Sequence, residues 1–309
     1  MMADQWTLNR RNFEGCWQGR ASWFARDASG ALDLTTPERV IDPTTYAISF
    51  SEPDHGVWDG SGLVFASGGK ATYAISRSSY NAGGGCWQFP GAGGQSSLAW
   101  DRNRDRFGHE INLFRGRSRS MLVLIWEPNG ASWPLQRVGA VAFRCRDAEQ
   151  AEGERPTCGT PADLFDALRG WSGTRQVFVP TPGVDGQLDD PQLVVFSPEL
   201  WLRNRCSAIL SDGLVFSVPD QLPEGAFQLE VGGLLAPDLF QHISIVFNVE
   251  GRLTAWERCC FQPPTVRSQK SLRRINCAQS GTPGSRVPAS AGTSSNRSAC
   301  CSEPIRDEA

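Results

Sequence analysis

The chain has almost no lysine. Lys70 and Lys270 are its only two, so nearly all of the 30 basic residues are arginine, and they are set against 33 acidic residues for a net charge of −3. With no long basic stripe, this balance excludes a dedicated nucleic-acid binder, whose affinity would rest on a concentrated positive surface. Long hydrophobic runs are also missing. The strongest, Met121-Leu122-Val123-Leu124-Ile125-Trp126, is far too short for a membrane span. Met1 to Arg11 has no apolar stretch of signal-peptide length, and a soluble, cytoplasmic protein is expected. The ten cysteines include no Cys-x-x-Cys, and the adjacent pairs Cys259-Cys260 and Cys300-Cys301 are poorly placed to share a zinc ion. Free thiols and no metal centre follow. Only three histidines occur, His55, His109 and His242, far apart in the chain. There is no Gly-x-Ser-x-Gly, no dinucleotide fingerprint and no phosphate loop, since neither Lys-Ser nor Lys-Thr follows Gly83-Gly84-Gly85. No Ser or Cys has a visible His partner that would make it a nucleophile.

What is present is repetition. Phe13-Glu14-Gly15-Cys16-Trp17-Gln18-Gly19 is echoed by Leu168-Arg169-Gly170-Trp171-Ser172-Gly173, and Gly62-Leu63-Val64-Phe65 by Gly213-Leu214-Val215-Phe216. The two offsets, 154 and 151 residues, are nearly equal. Such a coincidence argues for a duplicated domain, and the chain is long enough for two domains that each bury a core.

Each half reads as a short helix followed by many short strands. Trp6, Leu8 and Phe13 line one side of the first lead-in helix. Strands are expected at Thr45 to Phe50, Leu63 to Phe65, Ala71 to Ile75, Ile111 to Arg115, Met121 to Trp126 and Val138 to Cys145. Gly83 to Gly85 and Gly91 to Gly94 read as loops. In the second half Thr160-Pro161-Ala162-Asp163 is a helix start: Thr caps, Pro suits the first turn, and Asp accepts from free amides. Gly170 can end that helix in a left-handed conformation. Strands follow at Gln176 to Val179, Gln192 to Phe196, Trp201 to Leu210, Leu214 to Val218, Ala226 to Val231 and Ile243 to Val249. Short strands with frequent turns argue for a barrel or sandwich. The expected fold is therefore all-β, with two tandem up-and-down barrels over residues 1–147 and 160–261 and a linker over 148–159. The last strand of the second barrel dissolves at Trp256-Glu257-Arg258-Cys259-Cys260. Residues 262–309 are rich in Ser, Gly, Pro, Arg and Cys, a mixture too polar to offset chain entropy. They read as a disordered tail, or as GC-rich DNA translated out of frame.

Gly15-Cys16-Trp17 after a short lead-in resembles the Gly-x-Trp pattern of the calycins, the lipocalin-like superfamily. Asn12 to Gly19, Phe107 to Phe114, Arg119 to Trp126 and Leu214 to Glu230 together resemble a two-repeat cyanobacterial calycin family of uncharacterised proteins, over the chain up to about Phe261. More distantly the chain is similar to the S-type and T-type bilin lyases. The resemblance implies a barrel whose mouth accepts a flat apolar molecule, with a bilin or other tetrapyrrole as cofactor and a phycobiliprotein as partner. It also places Trp17 and Trp171, with Gly15 and Gly170, at the closed barrel bases.

Candidate ligand residues lie on the later strands of the first barrel. Arg115, Arg117 and Arg119 suit carboxylates, such as bilin propionates or a fatty-acid head group; they also suit a solvated turn. Glu110, with its pKa raised by burial, suits pyrrole nitrogens. Trp87, Trp100 and Trp126 can stack on a planar ligand or fill a core. Several readings stay open: a binding module for a small hydrophobic or tetrapyrrole-type molecule; a bilin lyase or isomerase; a structural or assembly protein with filled barrels; and a heme-binding, nitrobindin-like barrel with His109 or His242 as axial ligand.

Overall fold

The computed structural model describes residues 4–61, 72–149, 152–180, 188–203 and 206–264 of the chain. Helix α1 (Gln5–Phe13) starts where Asp4 accepts from the Thr7 amide. It leads into β1 (Gly15–Ala25), β2 (Arg39–Glu52), β3 (His55–Asp59), β4 (Thr72–Ser76), β5 (Cys86–Phe89), β6 (Ala92–Ser96), β7 (Phe107–Arg115), β8 (Ser118–Trp126) and β9 (Leu135–Cys145). These strands form one antiparallel sheet in the order β4-β3-β2-β1-β9-β8-β7-β6-β5, so the first strand pairs with the last. The edge strand β5 is covered by α1. Gln5 donates to Gln88 O at 2.9 Å and accepts from Gln88 N at 2.7 Å, which imitates strand pairing and blunts the edge.

Helix α2 (Pro161–Ala167) opens the second half, with Thr160 and Asp163 forming a reciprocal cap. Then come β10 (Ser172–Phe178), β11 (Gln192–Val195), β12 (Cys206–Ile209), β13 (Leu214–Val218), β14 (Phe227–Ala236), β15 (Leu239–Phe247) and β16 (Leu253–Gln262). Their order, β11-β10-β16-β15-β14-β13-β12, again pairs first strand with last. The fold is all-β and barrel-like in both halves. The second sheet lacks counterparts of β3 and β4 among the described residues.

Three expectations need correction. The final strand does not dissolve: β16 runs through Trp256 to Cys260 in continuous register with β10 and β15. Its charged residues hid the alternation, because Glu257 pairs with Arg175 across the sheet at 2.5 Å. Gly91 to Gly94 is mostly strand β6 rather than a loop. Among the described residues of the stretch Trp201 to Leu210, only Cys206–Ile209 is strand. The expected strand at Leu63 to Phe65 and most of the tail lie outside the described residues.

The first echo marks equivalent positions in the two sheets, whereas Gly62 to Phe65 of the second lie outside the described residues. Gly19 pairs with Phe143 of β9 as Gly173 pairs with Phe261 of β16. A Cβ at either glycine would collide with a backbone carbonyl oxygen, that of Ala142 or Cys260. The recurring Gly two residues after each Trp is thus a close-approach requirement. Gly213 instead corresponds to Gly91. Both have positive φ, 71° and 78°, and their carbonyls accept from Leu234 N and Phe114 N respectively.

The two sheets belong to one compact unit. Alternate residues of β7 diverge. Phe107, Ile111 and Leu113 join a cluster shared with Phe216, Leu229, Val231 and Ile243 of the second half. Phe114 instead joins Trp17, Tyr46, Met121 and Phe143 inside the first barrel. A third cluster, with Trp171, Trp201, Phe240 and Phe261, fills the inner face of the second sheet.

Candidate functional site

At the base of the first barrel, Trp17 is fully buried and its indole N–H donates to Phe13 O at 2.8 Å. Arg117 lies over the Trp17 ring, 4.8 Å from its centroid, and donates to Glu14 O. Gly15, at φ 123°, leaves room for that guanidinium; a Cβ there would strike Arg117 Nη2. Trp171 is likewise buried, and Gly170 takes the left-handed conformation at φ 79°.

The three arginines that look like one turn in the sequence have separate surroundings. Arg115 is exposed and Arg117 half-buried on Trp17, whereas Arg119 is 1% exposed inside the barrel. Its guanidinium is surrounded by Phe13, Trp17, Tyr46, Phe114 and Phe143, with ring centroids 4.3 to 6.0 Å away. Nη2 touches Met121 Sδ at 3.8 Å, and Nε and Nη1 have no hydrogen-bond partner. No ion pair joins Arg119 to a described carboxylate. Burial alone pushes its pKa well below the ordinary value. The hydroxyl of Tyr46, whose ring is 4.3 Å from the guanidinium carbon, is buried and also unpartnered.

Glu110 faces the same interior, between β6 and β8. It is half-buried, and Oε1 accepts from Asn112 at 2.9 Å. Burial raises its pKa, opposed by the Asn112 hydrogen bond. Tyr73 and Cys86 are both pushed up to about 12, first by burial and then in part by the Glu110 charge. With Tyr80 they place two phenols and one thiol near this carboxylate.

The second barrel holds a carboxylate at the same place. Glu110 stands opposite Val123 in the β7–β8 hairpin, and Glu230 stands opposite Ser244 in β14–β15. Glu230 is fully buried. Its Oε2 contacts His242 Nε2 at 2.6 Å and accepts from the Ser244 hydroxyl, while Oε1 has no partner. His242 packs 4.6 Å from the Trp201 ring. Burial lowers its pKa, but hydrogen bonds to Cys259 and Glu230 and the Glu230 charge outweigh that and raise it to about 9. That shift favours the charged form of His242 beside Glu230.

Trp87, Trp100 and Trp126 lie between the sheets rather than with Glu110 and Arg119. Trp87 stacks on Trp256, both donating to Ser96 Oγ. Trp126 donates to Pro219 O at 3.1 Å. The Trp100 amide bonds Gly251 O, and its ring packs against Trp133. His109 is buried there too, against Phe107, Trp126 and Phe247, with neither ring nitrogen partnered. Neither histidine offered as an axial ligand turns a free nitrogen into a barrel interior. Glu230, Ser244 and Tyr46 were not singled out from the sequence. The register that makes Glu230 equivalent to Glu110 passes through a bulge between Leu234 and Ala236, which no spacing rule reveals.

No protein-family model matches this chain, and no curated protein sequence does. A solved structure is similar in fold: a protein of unknown function from the DUF3598 family of Nostoc punctiforme, with a TM-score of 0.59 and 17% identity over 85% of this chain and 100% of that one. No described helix is long and apolar enough to cross a membrane, and no described cluster of His, Cys, Asp or Glu could hold a metal ion.

Proposed function

We propose that the chain binds a small, largely apolar molecule carrying a carboxylate, inside the first barrel, with Arg119 as its anion partner. The supporting observation is the buried Arg119 guanidinium with no counter-ion. A charge removed from water costs several kcal/mol unless it is paired, and a carboxylate is the shape a guanidinium fork fits bidentately. Tyr46 would supply a further donor. Glu110 would meet N–H groups at the other end of the ligand, which suits a bilin-type tetrapyrrole with propionates better than a plain fatty acid. The Gly-x-Trp base, the Arg117 contact on it and the pairing of the first strand with the last support the calycin reading. A cytoplasmic setting with free thiols accompanies it.

A second reading rests on the raised pKa of Glu110. A carboxyl group held above its ordinary pKa by burial is a better proton donor to a bound chromophore, as a bilin isomerase, or a lyase delivering to a phycobiliprotein, would require. Turnover separates the two, since a binder gives only a stoichiometric change.

The test is calorimetric titration with biliverdin, dodecanoate and dodecanol, beside absorbance and mass spectrometry of protein purified from its native host. Saturable binding of either carboxylate, but not of the alcohol, is expected. Failure of both carboxylates to bind would favour a barrel filled by its own side chains and a structural role.

A further inference from the structure

The second barrel carries a cavity of its own. About 780 Å³ of space lies beside the segment joining β13 and β14, lined by Leu200, Pro219, Val246 and Glu230, with the opposite charges of Arg203 and Asp220 also on its wall. That volume is in the range of small-molecule sites. Glu230 is 0% exposed, and its Oε1 is a buried acceptor without a partner. An unmet, buried carboxylate oxygen is a costly arrangement that a ligand donor would relieve.

We propose that this cavity is a second binding site, for a mainly apolar, planar heterocycle that presents a neutral N–H to Glu230 Oε1. Neutrality follows from the pair already present: His242 sits 2.6 Å from Oε2 and balances the carboxylate charge. A cationic ligand would add an unpaired positive charge, and an anionic one would face Glu230. The planar edge follows from burial. Glu230 has no open surface, so only a slim group can slip past the half-buried Val246 to reach it. The two barrels also differ where the first places its cation. Arg119 stands opposite Phe114, and the corresponding pair in the second barrel is Phe240 and Leu234. Both halves of the duplicated frame thus carry a carboxylate acceptor, but only the first adds an arginine at this position. This site stands independently of the carboxylate site.

Carbazole and 9-methylcarbazole differ only in the N–H, and both are fluorescent. Titrated into the full chain, carbazole is expected to bind at least about tenfold more tightly, the effect of one hydrogen bond to a charged acceptor. Glu230→Leu should erase that preference, and Val246→Trp should fill the cavity and abolish binding of both probes. Saturating dodecanoate should displace neither. Circular dichroism reports whether each variant folds. Should Glu230→Leu fail to fold, Val246→Trp still decides. Equal affinity for the two probes, no saturable carbazole binding, undiminished binding to Val246→Trp, or displacement by dodecanoate would each overturn the proposal.

Discussion

Trp256 of the second sheet stacks on Trp87 of the first, with ring centroids 6.3 Å apart, and both indole N–H groups donate to Ser96 Oγ at 3.0 and 3.2 Å. One hydroxyl satisfies two buried donors from different halves of the chain. Phe178 also stacks on Trp256, at 5.5 Å. Ile111 and Leu113 of β7 and Leu122 and Leu124 of β8 join the same buried cluster, so this outer face is core, not surface. Trp256→Ala should destabilise the protein by about 3–5 kcal/mol, the usual cost of truncating a buried aromatic. Urea denaturation should show one transition for the whole chain. Residues 1–147 alone would expose this face and should aggregate. A soluble, cooperatively folding fragment would refute the shared core.

Arg119 should matter to ligand affinity through its fork as well as its charge. Arg119→Met should weaken dodecanoate binding by roughly 100-fold, the equivalent of about 2.7 kcal/mol for charge-assisted hydrogen bonds. Arg119→Lys should restore little, because an ammonium cannot bind a carboxylate bidentately. Full rescue by lysine, measured by calorimetry, would show that position matters less than charge.

His109 makes stability sensitive to acid. Burial without a partner lowers its pKa from 6.5 to about 3. The unfolded chain therefore takes up a proton below pH 6.5 that the folded chain refuses until about pH 3. Stability is full above the unfolded value and falls as pH drops below it, by about 1.4 kcal/mol per pH unit. His109→Leu should flatten that slope between about pH 4.5 and 6.5. Equal slopes in the two proteins would mean that the ring is hydrated.

His242 behaves in the opposite sense. Its pKa is raised to about 9, so its pairing with Glu230 contributes fully below the ordinary value of 6.5 and is lost as pH rises through about 9. Imidazole proton resonances followed by NMR should still report the charged ring at pH 8. A midpoint near or below the ordinary value would remove the ion pair from this account.

Gly19→Ala and Gly173→Ala test the repeat. Each Cβ would run into a backbone carbonyl, which cannot turn aside as a side chain can. A loss of about 1–3 kcal/mol or more is expected from each, read as a drop in Tm. Gly30→Ala is a contrasting control: nothing lies within 4 Å of its Cβ, and its cost comes from a φ of 84° alone.

Strand positions and the duplication were legible in the sequence because they rest on local signals: alternation, turn residues, helix caps and a Trp two residues before a Gly. The faces of those strands were not. Phe107 to Phe114 is buried almost throughout, because one face lines the first barrel and the other meets the second half of the chain. A strand covered on both sides loses the polar alternation that tells inside from outside. This is why Trp87 and Trp126 looked like companions of Glu110 and are not. The strand β16 was obscured for a related reason: Glu257 and Arg258 have partners on neighbouring strands, so their charges did not mark a surface loop.

The sequence by itself determined an all-β chain with two lead-in helices, two Gly- and Trp-marked first strands, and no motif for nucleotide, metal or nucleophilic chemistry. Only the tertiary structure decided which side chains share an interior. It separated Arg119 from Arg115 and Arg117, joined Glu230 to His242 and Ser244, and set Glu110 and Glu230 at one equivalent position. The physical reason is register. Strand pairing fixes side-chain neighbours across more than a hundred residues of chain, and a single bulge, as at Leu234 and Ala236, shifts the count by one. Local pattern carries no record of that shift, whereas the burial of an unpaired charge or acceptor depends on it wholly.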